Sequence, residues 1–189
     1  MADVRALTLW QPWASLIALL VKHIETRSWA TAYRGTVLIH AAVRPPETMR
    51  LGDWWCEPTW GNEFGLLNEA GQPHRLPLSA VVAVVELVDV VPIVERWAGR
   101  DNPEALAAVA EVPKFVTVEP DVLMLCDREA TPVWQRIDDQ RPFGDFTAGR
   151  FAHLYESIRP LSEPVPAKGF QGLWKPSDAL GAEVMERVG

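Results

Sequence analysis

Two runs decide how the chain folds: Leu7-Thr8-Leu9-Trp10-Gln11-Pro12-Trp13-Ala14-Ser15-Leu16-Ile17, and soon after it Lys22-His23-Ile24-Glu25-Thr26-Arg27-Ser28-Trp29. Ala6 to Trp10 reads as a short strand with Leu7 and Leu9 on one face. Gln11-Pro12 turns the chain, and Pro12 suits the first helical position because its missing N–H is not needed there. Pro12 to Val21 then reads as a buried apolar helix. Ile24 to Trp29 alternates Ile24, Thr26 and Ser28 against Glu25, Arg27 and Trp29, a strand with one ionisable face.

Outward from this stretch the pattern stays strand-rich. Tyr33-Arg34-Gly35 marks a turn, and Thr36 to Ala41 is a β-rich run ending near His40. Pro46 to Cys56 reads as a helix and residues 57–77 as irregular. Ala80 to Val91, dense in Val, is the clearest strand, with Glu86 as a charged interior residue. Pro92 to Ala98 and Pro103 to Val112 read as helical, Phe115 to Val118 and Val122 to Cys126 as strand or loop, and Trp134 to Asp138 as helix or loop. Gly149 to Arg159 reads as a late strand followed by a Pro-punctuated loop from Leu161 to Gly169. Gly172-Leu173-Trp174 would close a barrel, and Ser177 would cap a terminal helix, Asp178 to Val188. Helices fall between strands without a βαβ rhythm, so the expected class is α+β, a mixed β-barrel with flanking helices. We expect a single domain over 1–189, its core about 5–91 and 143–176, with 92–142 as an inserted elaboration.

Composition narrows the function classes. The chain has 189 residues, 48% hydrophobic and 23% charged, which supports a folded core. No apolar run approaches the roughly 20 residues of a membrane span. The N-terminus lacks a basic segment followed by an apolar stretch, so a cytoplasmic location is expected. Cys56 and Cys126 have no metal-site spacing, and His23, His40, His74 and His153 do not cluster with them, so no metal and no cofactor is expected. The net charge of −7 argues against long-range attraction to duplex DNA. It is unevenly spread: residues 1–50 carry six basic and three acidic groups, a net of +3, and the remainder carries −10. An anionic partner would be steered to the N-terminal part.

Chemistry gathers in the same stretch. Trp10, Trp13, Trp29 and Tyr33 are flat stacking surfaces, and Lys22, Arg27 and Arg34 are cations, the two side-chain types with which proteins hold unpaired bases and their phosphates. Glu25 and Arg27 share a strand face, and Lys22, at the helix-to-strand turn, can fold back onto it. A carboxylate held between two cations stays ionised and can accept hydrogen bonds from the amino or imino edge of a base. It could also act as a base on water. The same spacing also suits a structural ion network.

The two opening runs, with Tyr33-Arg34-Gly35 and Ile39-His40-Ala41-Ala42, closely resemble the start of ASCH-domain proteins, whose hallmark is G-x-K-x-x-E-x-R. Phe143-Gly144-Asp145-Phe146, Gly149-Arg150-Phe151, Pro164-Val165-Pro166-Ala167 and Gly172-Leu173-Trp174 resemble the family's later part. The resemblance covers residues 6–42, 78–91 and 143–174. It implies a PUA-like barrel with a cleft for RNA or nucleotides lined by Lys22, Glu25 and Arg27. Leu20 stands where the signature has Gly, which predicts a different helix exit and a displaced Lys22. Some relatives are amidohydrolases of N4-acetylcytidine that use Lys, Thr and Glu. Lys22 matches the Lys, and Glu86 the Glu. The Thr position is Glu25 here, so the nucleophile is missing.

The resulting expectation is a binder of RNA, of single-stranded nucleic acid or of a free modified nucleoside. Its binding residues would be Trp10, Gln11, Trp13, Ser15, Lys22, Glu25, Arg27, Trp29, Tyr33, Arg34, His40 and Arg150. The first alternative is a hydrolase of N4-acylated cytidine or of an RNA phosphodiester, an amidohydrolase or ribonuclease using Lys22, Glu25 and Glu86. The second is a protein-interaction domain.

Overall fold

Strands make up most of the regular structure among the described residues. The computed structural model describes residues 3–44, 66, 75–95, 114–118, 123–127 and 133–188. The strands are β1 (Arg5–Leu9), β2 (Ile24–Arg27), β3 (Gly35–Ala41), β4 (Ala80–Glu95), β5 (Lys114–Val118), β6 (Leu123–Asp127), β7 (Val133–Arg136), β8 (Phe151–Pro166) and β9 (Leu173–Trp174). The helices are α1 (Trp13–Ala18) and α2 (Asp178–Arg187), with a 3-10 helix at Asp138–Phe143. The strand-rich α+β class expected from the sequence holds. Among the described residues no helix is long and apolar enough to cross a membrane.

The chain divides into two compact units, one of 1–22, 35–86 and 156–189, the other of 23–34 and 87–155. In the first, β1 pairs parallel with β3, Arg5 opposite Val37 through Leu9 opposite Ala41. Parallel neighbours need a crossover, and α1 lies within it. β9 adds antiparallel to β1 through Ala6–Trp174 and Leu7–Leu173. Ala6, Leu38, Val81, Val84, Leu161, Val165, Trp174 and Val184 form a core there. Ser177 caps α2 as expected, its hydroxyl accepting from the Leu180 N–H at 3.2 Å.

In the second unit β2 pairs antiparallel with the start of β8, Ile24 opposite Leu154 through Arg27 opposite Phe151. β5 joins the end of β4 in parallel, then β6 and β7 follow antiparallel. Ile24, Val91, Ile93, Val116, Leu123, Ile137, Phe146 and Ala152 form its core.

Several expectations need correction. Residues 92–95 are strand, not helix. Val91 and Ile93 are buried in that core, and their period of two overrides the helix-start reading of Pro92. Trp134 to Asp138 is mostly β7 followed by the 3-10 turn. The Pro-rich stretch after Leu161 continues β8 to Pro166. Pro160, Pro164 and Pro166 share parity, so their missing N–H groups all fall on one side of the strand and the other side keeps its donors. The helices read at Pro46 to Cys56 and Pro103 to Val112, and the stretch Arg96 to Ala98, lie outside the described residues.

The exit of α1 is also corrected. Leu20 takes the left-handed conformation, φ 62°, that the signature reserves for Gly. The Val21 N–H bonds the Leu16 carbonyl at 3.0 Å and the Leu20 N–H bonds Ile17 at 2.9 Å, the paired closure of a Schellman motif. Leu20 therefore holds the helix end in place at the expense of a crowded Cβ. Its side chain is 51% exposed and contributes little burial. Leu20→Gly is expected to raise stability by about 0.5–1 kcal/mol, read as a higher Tm. A lower Tm would show that the leucine side chain carries weight of its own.

Candidate nucleic-acid interface

In the first unit the expected site residues separate into exposed and enclosed. Trp10, directly after β1, is 51% exposed, unusual for an indole. Gln11 is fully buried and engaged within the fold. Its Nε2 donates to the Pro77 carbonyl at 2.7 Å, and its Oε1 accepts from the Ser15 N–H at 3.1 Å. Ser15 is buried on α1. Lys22 has no exposed surface, and its Nζ sits 5.7 Å from the centroid of the Trp13 ring, at cation–π range. Glu86 Oε1 accepts from the Thr36 hydroxyl at 2.7 Å.

His40 is also buried. Its Nε2 donates to the Ala167 carbonyl at 3.0 Å, and its ring stands edge-on to Trp174 with centroids 6.0 Å apart. The carbonyl can only accept, so the neutral ring carries its proton on Nε2. Burial lowers the His40 pKa below its ordinary 6.5, the Ala167 carbonyl opposing the shift.

The second unit assembles the ionisable strand face. Glu25 and Arg27 are half-buried, with Ile24 and Thr26 buried on the opposite face, as the alternation requires. Arg27 Nε lies 3.1 Å from Glu25 Oε1. Opposite them, His153 faces Glu25 and Phe151 faces Arg27 across the β2–β8 pair. Residues opposite one another share a face, so an imidazole and a phenyl ring flank the ion pair. The Trp29 ring meets His153 edge-on, centroids 5.0 Å apart and planes at 87°. His153 Nε2 donates to the Trp29 backbone carbonyl at 3.2 Å, which orients the imidazole.

His153 and Tyr155 were not expected at the site. The signal was present: Phe151, His153 and Tyr155 recur at period two in a stretch already read as strand. Burial lowers the His153 pKa. The Trp29 carbonyl and Glu25 oppose the shift, and Arg27 and Arg34 add to it. Burial, with the Glu25 charge, keeps the Tyr155 phenol protonated far above its usual range.

Arg34 donates to the Thr31 and Tyr33 carbonyls at 2.8 and 2.9 Å and pairs with Asp89 at 2.9 Å. Asp89 also receives Lys114 at 3.6 Å. Arg150 reaches Asp145 at 3.4 Å and the Thr26 carbonyl at 3.3 Å. The structure thus brings Glu25, Arg27 and Trp29 together in one unit and Trp13 with Lys22 in the other. Among the described residues no group of three or more His, Cys, Asp or Glu is placed to hold a metal. A cavity of about 450 Å³ in the first unit is lined by Asp3, Val4, Thr36, Lys175, Ser177 and Met185, among others, and by none of the expected site residues.

The two histidines buried among the described residues, His40 and His153, are expected to give stability a pH dependence. Each has a folded pKa below its unfolded value of 6.5, so the unfolded chain binds more protons in acid. Stability is expected to be full above about pH 7.5 and to fall as pH drops through 6.5, by at most about 1.4 kcal/mol per pH unit for each histidine. Urea titrations from pH 5 to 8 would show this, and His40→Gln and His153→Gln should each flatten the slope. Equal slopes in wild type and both variants would assign the dependence elsewhere.

The family model described as ASCH domain matches residues 7–132. Activating signal cointegrator 1 of Homo sapiens is 30% identical over 83 residues, 44% of this chain and 14% of that protein's length. The crystal structures of ASCH from Zymomonas mobilis and of a single-residue variant align over 99% of this chain and 96% and 99% of theirs. Their identity is 13% in both cases, with TM-scores of 0.45 and 0.46. With the family model spanning two thirds of its length, the chain belongs to the ASCH domain family.

Proposed function

We propose that this PUA-like ASCH domain binds single-stranded RNA, or a modified nucleotide, by reading the edge of an unpaired base. The observation that carries the reading is the Glu25–Arg27 pair on a half-buried strand face flanked by Phe151, His153 and Trp29. Glu25 accepts from an amino or imino group, Arg27 donates to a ring carbonyl, and the aromatic rings supply apolar walls for a planar heterocycle. Partial burial strengthens such hydrogen bonds relative to water. Tyr33, Arg34 and Arg150 extend the aromatic and basic character of the same unit. Gln11, Ser15 and His40 serve by holding β1, α1 and β3 in place.

The hydrolytic alternative has less support. Glu86 is engaged by the Thr36 hydroxyl, and Lys22 is enclosed. Incubation with N4-acetylcytidine and with short RNAs is expected to give no product.

The test is fluorescence anisotropy with labelled single-stranded RNA at several salt concentrations. Arg27→Ala and Glu25→Gln are each expected to weaken binding about tenfold, the scale of a lost charge-assisted hydrogen bond. If neither variant alters binding to any RNA or nucleotide, the reading is overturned.

A further inference from the structure

The first unit carries a second feature suited to the same class of ligand. Three segments converge at one end of β1. The Ala42 N–H donates to the Leu9 carbonyl at 2.8 Å, the Ser79 N–H to the Ala42 carbonyl at 3.4 Å, and Gln11 Nε2 to the Pro77 carbonyl at 2.7 Å. These bonds place residues 9–11, 42–44 and 75–79 side by side.

What they present to solvent is unusual in composition. Trp10 is 51% exposed, Val43 73% and Leu78 38%. Arg44 and Arg75, on two of the three segments, are exposed as well. In a chain of net charge −7, these eleven residues contain two cations and no carboxylate. Exposed apolar side chains on adjacent segments suit a binding surface. The cations select an anionic partner, and the indole supplies a stacking plane.

We propose that Trp10, Val43, Arg44, Arg75 and Leu78 form a platform for a single nucleic-acid strand. A base stacks on Trp10 against the apolar Val43 and Leu78, and Arg44 and Arg75 hold backbone phosphates on either side. Stacking is indifferent to base identity, and phosphate contacts carry no sequence. The platform therefore contributes affinity without sequence preference. The inference rests on the nucleic-acid reading of the chain and adds a second place of contact.

The experiment compares wild type, Trp10→Ala and the double variant Arg44→Gln/Arg75→Gln, using a mononucleotide and a 12-nucleotide single-stranded RNA as probes. Thermal melts confirm folding, and the two glutamine changes are on the surface. For the 12-mer, the double variant is expected to flatten the slope of log affinity against log salt by about 1.4, two phosphates at about 0.7 each. Trp10→Ala is expected to weaken the 12-mer about tenfold. Mononucleotide binding should fall much less than 12-mer binding in both.

Unaltered 12-mer affinity and salt slope in folded variants, beside a wild type that binds RNA, would overturn the platform and leave the base-reading face standing. A wild type that binds neither probe would overturn both. Self-association abolished by Trp10→Ala, with RNA binding intact, would assign the face to a second copy of the chain and also overturn the proposal.

Discussion

Lys22→Ala is expected to destabilise the protein by about 3–5 kcal/mol, a drop of about 10 °C in Tm for a chain of this size. The signature lysine would be expected at a binding surface. In the structure it has no exposed surface and ranks among the largest fully enclosed side chains. An ammonium removed from water must be compensated by its surroundings. Part of the compensation is the Trp13 ring at 5.7 Å. The lysine is also anchored through its backbone, its N–H bonding the Leu16 carbonyl at 3.1 Å beyond the helix end. Truncation to alanine removes four heavy atoms from a packed site and leaves the groups around the ammonium without it.

Lys22→Met separates these effects. It keeps most of the volume and discards the charge, so it should recover the packing share and leave the electrostatic share lost. Melting and urea titration of both variants provide the measurement. If Lys22→Ala melted within a degree or two of wild type, the enclosed lysine would be energetically idle. A consequence for binding assays follows: loss of RNA affinity in Lys22→Ala would confound unfolding with lost contact, so Arg27 and Glu25 are the cleaner probes of the base-reading face.

How far the sequence revealed this arrangement depended on the kind of information each residue carries. The polar face of β2 was legible because strand parity alone places Glu25 with Arg27 and Ile24 with Thr26. The Ser177 cap was legible for an equally local reason. Gln11 was not: it resembles a polar recognition residue, and its partners, the Pro77 carbonyl and the Ser15 N–H, include one 66 residues away. The exposure of Trp10 was likewise set by which segments converge at the end of β1. His153 has no ligand spacing within the sequence. The relevant spacing ran across the β2–β8 ladder, which only strand pairing reveals. Leu20 shows the converse. The left-handed helix exit persists without its glycine, because two backbone hydrogen bonds to α1 over-determine it.

Gly169→Ala is expected to destabilise the first unit by about 3 kcal/mol, the upper end of what overpacking costs. The segment after β8 passes directly over His40. A Cβ at position 169 would lie 2.5 Å from His40 Nδ1 and 2.7 Å from Thr8 Oγ1, closer than such atoms can approach. Neither neighbour can yield easily. The His40 ring is tied to the Ala167 carbonyl on one side and stands against Trp174 on the other. The Thr8 hydroxyl accepts from Trp174 Nε1 at 3.1 Å. Moving either disturbs Trp174, a member of the core.

The matching control is Gly181→Ala, where an added Cβ meets nothing within 4 Å and the residue lies inside α2. That change should stabilise by about 0.5–1 kcal/mol through helix propensity and a less flexible unfolded chain. The same chemical step is thus expected to act with opposite sign at two glycines 12 residues apart. A double change, Gly169→Ala with His40→Ala, should cost less than the two single changes added together, because removing the imidazole opens the space the new methyl needs. Strict additivity would mean that the clash falls on Thr8 or on the backbone, and that His40 is not what makes glycine necessary there.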